Sequence, residues 1–163
     1  MPNSASYYQQ LLSNPNVQSF LNLIGYAEGA DYNTGYGNRP ITNYAQHPYR
    51  VGQFRITDPV THRPSTTSAA GKYQYERRTW DSVAGALGLS DFSPQNQDIA
   101  ALKLIDDKHQ LDNVINGNVG TAIDALKSTW QGFVTNHIST LLAHYSGEKK
   151  KNQTPLAPCQ QEP

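Results

Sequence analysis

Apolar residues in this chain recur with helical period over most of its length, and the pattern breaks only in one stretch near the front. Val17, Phe20, Leu21 and Ile24 repeat at the three-and-four spacing of a core-facing helix. Continued at about 100° per residue, that stripe brings Glu28 to the next inward position. Gly29 follows as a helix stop, which places Glu28 at the negative end of the helix dipole. Before this helix, residues 1–16 are polar, with a short helical turn at Tyr7–Leu12 ended by Asn14-Pro15.

After Gly29 the period changes. Residues 29–71 are rich in glycine and proline, too interrupted for a long helix. Within them Tyr49–Thr57 shows loose alternation of β-branched and aromatic residues, predicting part of a small sheet. Asp58-Pro59 and the polar run Thr61–Ser68 predict turn and loop. From Tyr73 onward the pattern is helical: Gln74–Leu87 stopping at Gly88, then a helix opened by Ser93-Pro94 and running to about Asp107. Shorter helices are predicted at Gln110–Ile115, Gly120–Trp130 and Thr135–Tyr145, with Gly147 ending the last. The expected architecture is α+β: a single domain over 1–147, mostly helical with a small irregular β-lobe at about 29–71, and a flexible polar tail over 148–163.

Composition narrows the function classes. Lys plus Arg and Asp plus Glu both number 13, and three of the lysines sit together at 149–151. Residues 1–147 are therefore slightly acidic and carry no basic stripe, which argues against nucleic-acid binding. No apolar run approaches membrane-spanning length, and the N-terminus lacks a basic start followed by an apolar segment. The one cysteine, Cys159, lies four residues before the C-terminus and can form no intrachain disulfide. The five histidines include no pair at metal-ligand spacing beside a Glu or Cys, except His137 and His144 two turns apart. No metal and no cofactor are expected.

The candidate chemistry centres on Glu28. Burial and the helix C-terminus both disfavour the charged carboxylate, and a carboxyl group kept protonated near neutral pH can act as a general acid. The competing reading is a helix-end carboxylate that turns to solvent or caps a neighbouring amide. Spacing alone leaves the two open.

Several dispersed segments resemble, in order, the bacteriophage lambda endolysin family. They are Tyr26-Ala27-Glu28-Gly29-Ala30-Asp31, Ile41 to Pro48 with Tyr44 and His47-Pro48, Thr67 to Gln74, Leu87 to Asp98, and Ala122-Ile123-Asp124 through Trp130. The resemblance spans roughly residues 17–130. It implies a lysozyme-like fold with a glycan cleft between the β-lobe and the helices. It also implies a murein lytic transglycosylase that cuts the bond from N-acetylmuramic acid to N-acetylglucosamine. Carried over residue by residue, Glu28 is the acid and then the base, Lys72, Tyr73 and Gln74 fall on a cleft-lining segment, and Tyr44 and His47 fall on the β-lobe wall. The chain departs from the pattern at Gly35-Tyr36-Gly37 and at Gln131-Gly132-Phe133, so on the far wall the resemblance offers no residue beyond Trp130.

Three readings remain at this point. A hydrolytic muramidase needs a second carboxylate, for which Asp31 is the nearby candidate, although a loop cap or supporting role suits it better. A non-catalytic glycan-binding module needs none, and a zinc amidase needs the metal site that the histidines do not supply. By analogy with the family, the expected partners are peptidoglycan glycan strands and a holin. The holin would release a monomeric protein, made in the host cytoplasm without a signal peptide, onto the cell wall.

Overall fold

The computed structural model describes residues 2–153. Helix α1 spans Ala5–Leu11 and α2 spans Pro15–Glu28. A two-stranded antiparallel sheet follows, β1 Phe54–Thr57 against β2 Pro64–Thr67, in register from Phe54 opposite Thr67 to Thr57 opposite Pro64. The rest is helical: α3 Arg77–Leu87, α4 Pro94–Asp107, α5 Leu111–Ile115, α6 Val119–Ala125, α7 Gly132–Thr135 and α8 Ile138–Gln153.

Local chemistry explains the boundaries. Asn14 caps α2 by accepting the amides of Asn16 and Val17, with Pro15 in the first turn, where its missing N–H costs nothing. At the other end Gly29 adopts left-handed φ/ψ of 64° and 36°, which stops the helix one residue after Glu28. Ser93 caps α4 in the same way, its Oγ accepting from Asn96 N, and left-handed Gly88 ends α3.

The expected stripe is buried: Val17, Phe20 and Ile24 are fully inaccessible and Leu21 nearly so. Helix α2 packs against α5, α7 and, most extensively, α8. Behind it Ile99, Leu102 and Ile105 of α4 complete the helical core, and Trp80 and Trp130 lie in the core rather than on a surface.

Four boundaries differ from the sequence pattern. The strand covers only Phe54–Thr57, and the polar run expected as loop supplies its partner at Pro64–Thr67. The third helix begins at Arg77, because residues 70–75 form a closed turn with Ala70 bridged to Tyr75. The segment expected as one helix over 120–130 ends at Ala125, and a separate short helix forms at Gly132–Thr135. The last helix runs through Gly147 to Gln153, so the front of the expected tail is helical. Its last two turns are tied down, with Asn152 Nδ2 donating to Ser19 Oγ at 2.8 Å and Glu148 accepting from Asn22. Residues 154–163, including Cys159, lie outside the described residues.

Candidate active site

Glu28 is the last residue of α2 and stands at the floor of a groove of about 580 Å³. One wall is the hairpin, through Ile56, Ser65, Thr66 and Thr67, with Asp58, Pro59 and Val60 at its tip. Ala69, Gln74 and Glu76 continue that wall, and Lys127, Ser128, Thr129, Gln131 and Val134 form the opposite side. A second depression of about 330 Å³ shares Lys127 and Val134 with the first and extends it along α7. The size fits a small-ligand site. Hydroxyl and amide side chains are the largest group in the lining, beside apolar Ile56, Pro59, Val60, Ala69 and Val134.

The Glu28 carboxyl is half-buried, and Oε2 accepts the Gly132 backbone N–H at 2.7 Å. Desolvation by burial pushes its pKa above the usual carboxylate range, while the Gly132 bond, which favours the ionised form, opposes that shift. The close approach depends on Gly132 having no side chain: a Cβ there would collide with Glu28 Oε2 and with the Ala27 carbonyl. Asn136, just after α7, donates from Nδ2 to Ala27 O at 3.1 Å and to Gly132 O at 2.9 Å.

Two other carboxylates line the groove, and both are engaged locally. Glu76 accepts from Thr67 Oγ1 at 2.7 Å, from Ser68 N at 2.9 Å and from Ser68 Oγ. It thereby latches the end of β2 to the start of α3, where Ser68 Oγ also accepts the Arg77 amide. Asp58 accepts the amides of Val60 and Thr61, bonds that hold its carboxyl below the usual range and shape the hairpin tip. Asp31 does not line the groove. It is exposed, its carboxylate accepts the Tyr32 amide, and its own N–H donates to Thr34 Oγ1.

Of the residues expected along the cleft, Gln74 reaches it. It holds a left-handed φ of 52°, rare for a residue with a side chain, and its Nε2 donates to Gly71 O. Gly71, at φ 81°, has the Gln97 side chain where its Cβ would be, so its openness admits Gln97 rather than a ligand. Lys72 and Tyr73 point away from the groove into the interior. Lys72 Nζ donates to Asn22 Oδ1 at 2.7 Å and lies 4.6 Å from the Tyr32 ring centre. The hydroxyls of Tyr73 and Tyr32 both donate to half-buried Asp98. Burial lowers the Lys72 pKa and raises that of Asp98. This network contributes no residue to the lining of the groove.

His47 is likewise buried rather than on a cleft wall. Its Nε2 is 2.7 Å from Tyr75 O, which can only accept, and its Nδ1 accepts from Tyr49 N. The ring is therefore the neutral Nε2–H tautomer, and burial lowers its pKa. Tyr44 packs at the edge of the core, its carbonyl accepting from Phe92 N, and is absent from the groove lining. Sequence reasoning missed the whole far wall, Lys127 to Val134, together with Gly132 and Asn136. The one available signal was Gly132, a glycine lying between two helices. Among the described residues no group of three or more His, Cys, Asp or Glu could hold a metal ion. None of the described helices is long and apolar enough to cross a membrane.

The chain has relatives among known proteins. The endolysin family model fits residues 18–149. The endolysin of Escherichia phage lambda is 34% identical over 124 residues, covering 69% of this chain and 73% of its own. That of Escherichia phage P2 is 29% identical over 71% of this chain and 77% of its own. Bacteriophage lambda lysozyme, solved as a complex with a chitohexasaccharide, superposes with a TM-score of 0.69 at 27% identity, over 83% of this chain and 94% of that one. A second structure of lysozyme from bacteriophage lambda, at 24% identity and the same TM-score, speaks for the fold alone. The fold is lysozyme-like, and the chain belongs to the endolysin family.

Proposed function

We propose that this protein cleaves the glycan strands of peptidoglycan by lytic transglycosylation, with Glu28 as acid and then base. The observation that carries the reading is a half-buried carboxyl at the floor of a hydroxyl-lined groove, its pKa raised by burial, beside carboxylates that are otherwise engaged. The relative solved with a chitohexasaccharide supports a sugar polymer as the ligand class.

In this mechanism the Glu28 carboxyl gives its proton to the bridging oxygen between N-acetylmuramic acid and N-acetylglucosamine. The bond from C1 to that oxygen breaks, leaving an oxocarbenium-like centre. The muramic 6-hydroxyl then attacks C1 while the Glu28 carboxylate removes its proton. A 1,6-anhydro ring closes, no water is added, and Glu28 is protonated again. One group suffices because each step regenerates the form that the other requires. Gln74, whose remaining amide hydrogen and oxygen are available at the groove, suits the N-acetyl groups.

Digestion of purified murein followed by mass analysis of the muropeptides tests the reading. Anhydro ends, lighter by one water than reducing ends, are expected, and a folded Glu28→Gln protein should lose about 10²–10⁴-fold in rate. Reducing ends would instead assign hydrolysis, with Asp58 or Glu76, rather than Asp31, as the second carboxylate on the groove. Intact glycan with bound protein would leave a binding module. Release onto the wall through a membrane opened by a holin belongs to the same proposal, and co-expression with and without such a partner tests it.

A further inference from the structure

The carboxyl at the end of α2 is held through a peptide group that is itself held. A helix leaves its last carbonyls without partners inside the helix. In α2 one of these, Ala27 O, immediately precedes the acid and is taken up by Asn136 Nδ2. The same nitrogen donates to Gly132 O, so residue 132 is engaged at both its backbone groups: its carbonyl by Asn136 and its amide by Glu28. Two helices therefore meet at one side-chain amide. Asn136 does not line the larger groove, and the resemblance by sequence does not reach it.

We propose that Asn136 is a positioning residue for the reaction. By clamping the end of α2 to the start of α7, it keeps the Gly132 amide on the Glu28 carboxyl and so sets how readily that group releases and recovers its proton. The inference rests on the assignment of Glu28 as the acid. Its energetic sense follows from two opposed influences: burial favours the protonated group, and the amide bond favours the ionised one. An acid that must also serve as base needs both. The other charged groups on the groove are Asp58 from the hairpin, Glu76 ahead of α3 and Lys127 ahead of α7, with His137 bordering the adjoining depression and Asp31 following α2. A change at Asn136 leaves all of them in place.

The test uses the full-length, nitrogen-15-labelled protein. In wild type the Gly132 amide proton should shift with pH as Glu28 titrates, and the shift should vanish in Glu28→Gln. In Asn136→Ala, kcat should fall about tenfold to a hundredfold with KM little changed, as expected when a reacting group is held less well. The limb along which activity falls with rising pH should move upward, because a weakened amide bond no longer opposes burial. A Gly132 amide indifferent to Glu28 would overturn the proposal, as would an Asn136→Ala enzyme with an unmoved pH limb. If that variant fails to fold, Asn136→Ser takes its place, and an unmoved pH limb there overturns the proposal equally. Undiminished cleavage by folded Glu28→Gln would instead remove Glu28 as the acid, and with it any catalytic part for Asn136, whatever the amide does.

Discussion

The backbone amide of Gly132 meets Glu28 Oε2 at 2.7 Å, and the space between the two residues cannot admit a methyl group. Gly132→Ala should therefore push α7 away from the end of α2. Inserting atoms into so close a contact costs about 1–3 kcal/mol, and murein clearing should fall further than the loss of folded protein explains. Urea denaturation beside a turbidity assay measures both. Unchanged midpoint and unchanged clearing would mean that the two backbones have room to spare.

The raised pKa of Glu28 has a stability consequence of definite sign. A carboxyl whose pKa is higher folded than unfolded stabilises most below the unfolded value, and that contribution is lost as pH rises through the folded value. Glu28→Gln, which cannot ionise, should melt higher than wild type at neutral pH. The difference should close as pH falls below about 4, where both proteins are neutral at this position. Thermal melts across pH check it, and a lower Tm for the variant at neutral pH would contradict the direction.

Asp98 and Asp81 give a contrast in magnitude. Asp98 is the shared acceptor for the Tyr32 and Tyr73 hydroxyls and lies near buried Lys72. Asp98→Ala should cost about 3–5 kcal/mol, since it leaves two hydroxyls without their acceptor and removes the carboxylate near a buried lysine, or a fall of roughly 10 °C or more in Tm. Asp81 pairs with Arg77 on the exposed face of α3, and Asp81→Ala should change stability by no more than about 0.5 kcal/mol. Similar costs for the two would mean that the Lys72 network does not act as a unit.

Gln74 holds a left-handed backbone that glycine adopts freely. Gln74→Gly should therefore leave stability unchanged or raise it by up to about 1 kcal/mol, even though it removes the bond to Gly71 O. Cleavage should fall if the side chain meets the substrate. A variant both stable and fully active would demote Gln74 to a turn residue.

How much of this was legible beforehand follows from which interactions are local. The stripe of α2, its stop at Gly29 and the Ser93-Pro94 start are written within a few residues, and the structure reproduces them. Lys72, Tyr73 and Gln74 are adjacent in sequence, and only the turn decides their fates. With Gly71 and Gln74 both left-handed, the chain doubles back, so two side chains enter the core while the third emerges at the groove. Strand β2 has no apolar alternation to betray it, because Pro64–Thr67 is held by pairing and by the distant Glu76. Gly147 reads as a stop, but it is outweighed by ties at Glu148 and Asn152 that no local pattern records. Asn136 was invisible for the same reason: the partner that matters, Ala27 O, lies 109 residues away on α2.

The bond from Asn152 to Ser19 joins residues 133 apart, so the helix bearing Glu28 is splinted by nearly the last turn of the described chain. Part of the support for the acid's helix thus arrives only when two segments far apart along the polypeptide meet. Trimming back to residue 147 would leave every groove residue in place yet take away the brace at the opposite end of their shared rod, and such a shortened protein should tremble at a site it still fully encodes.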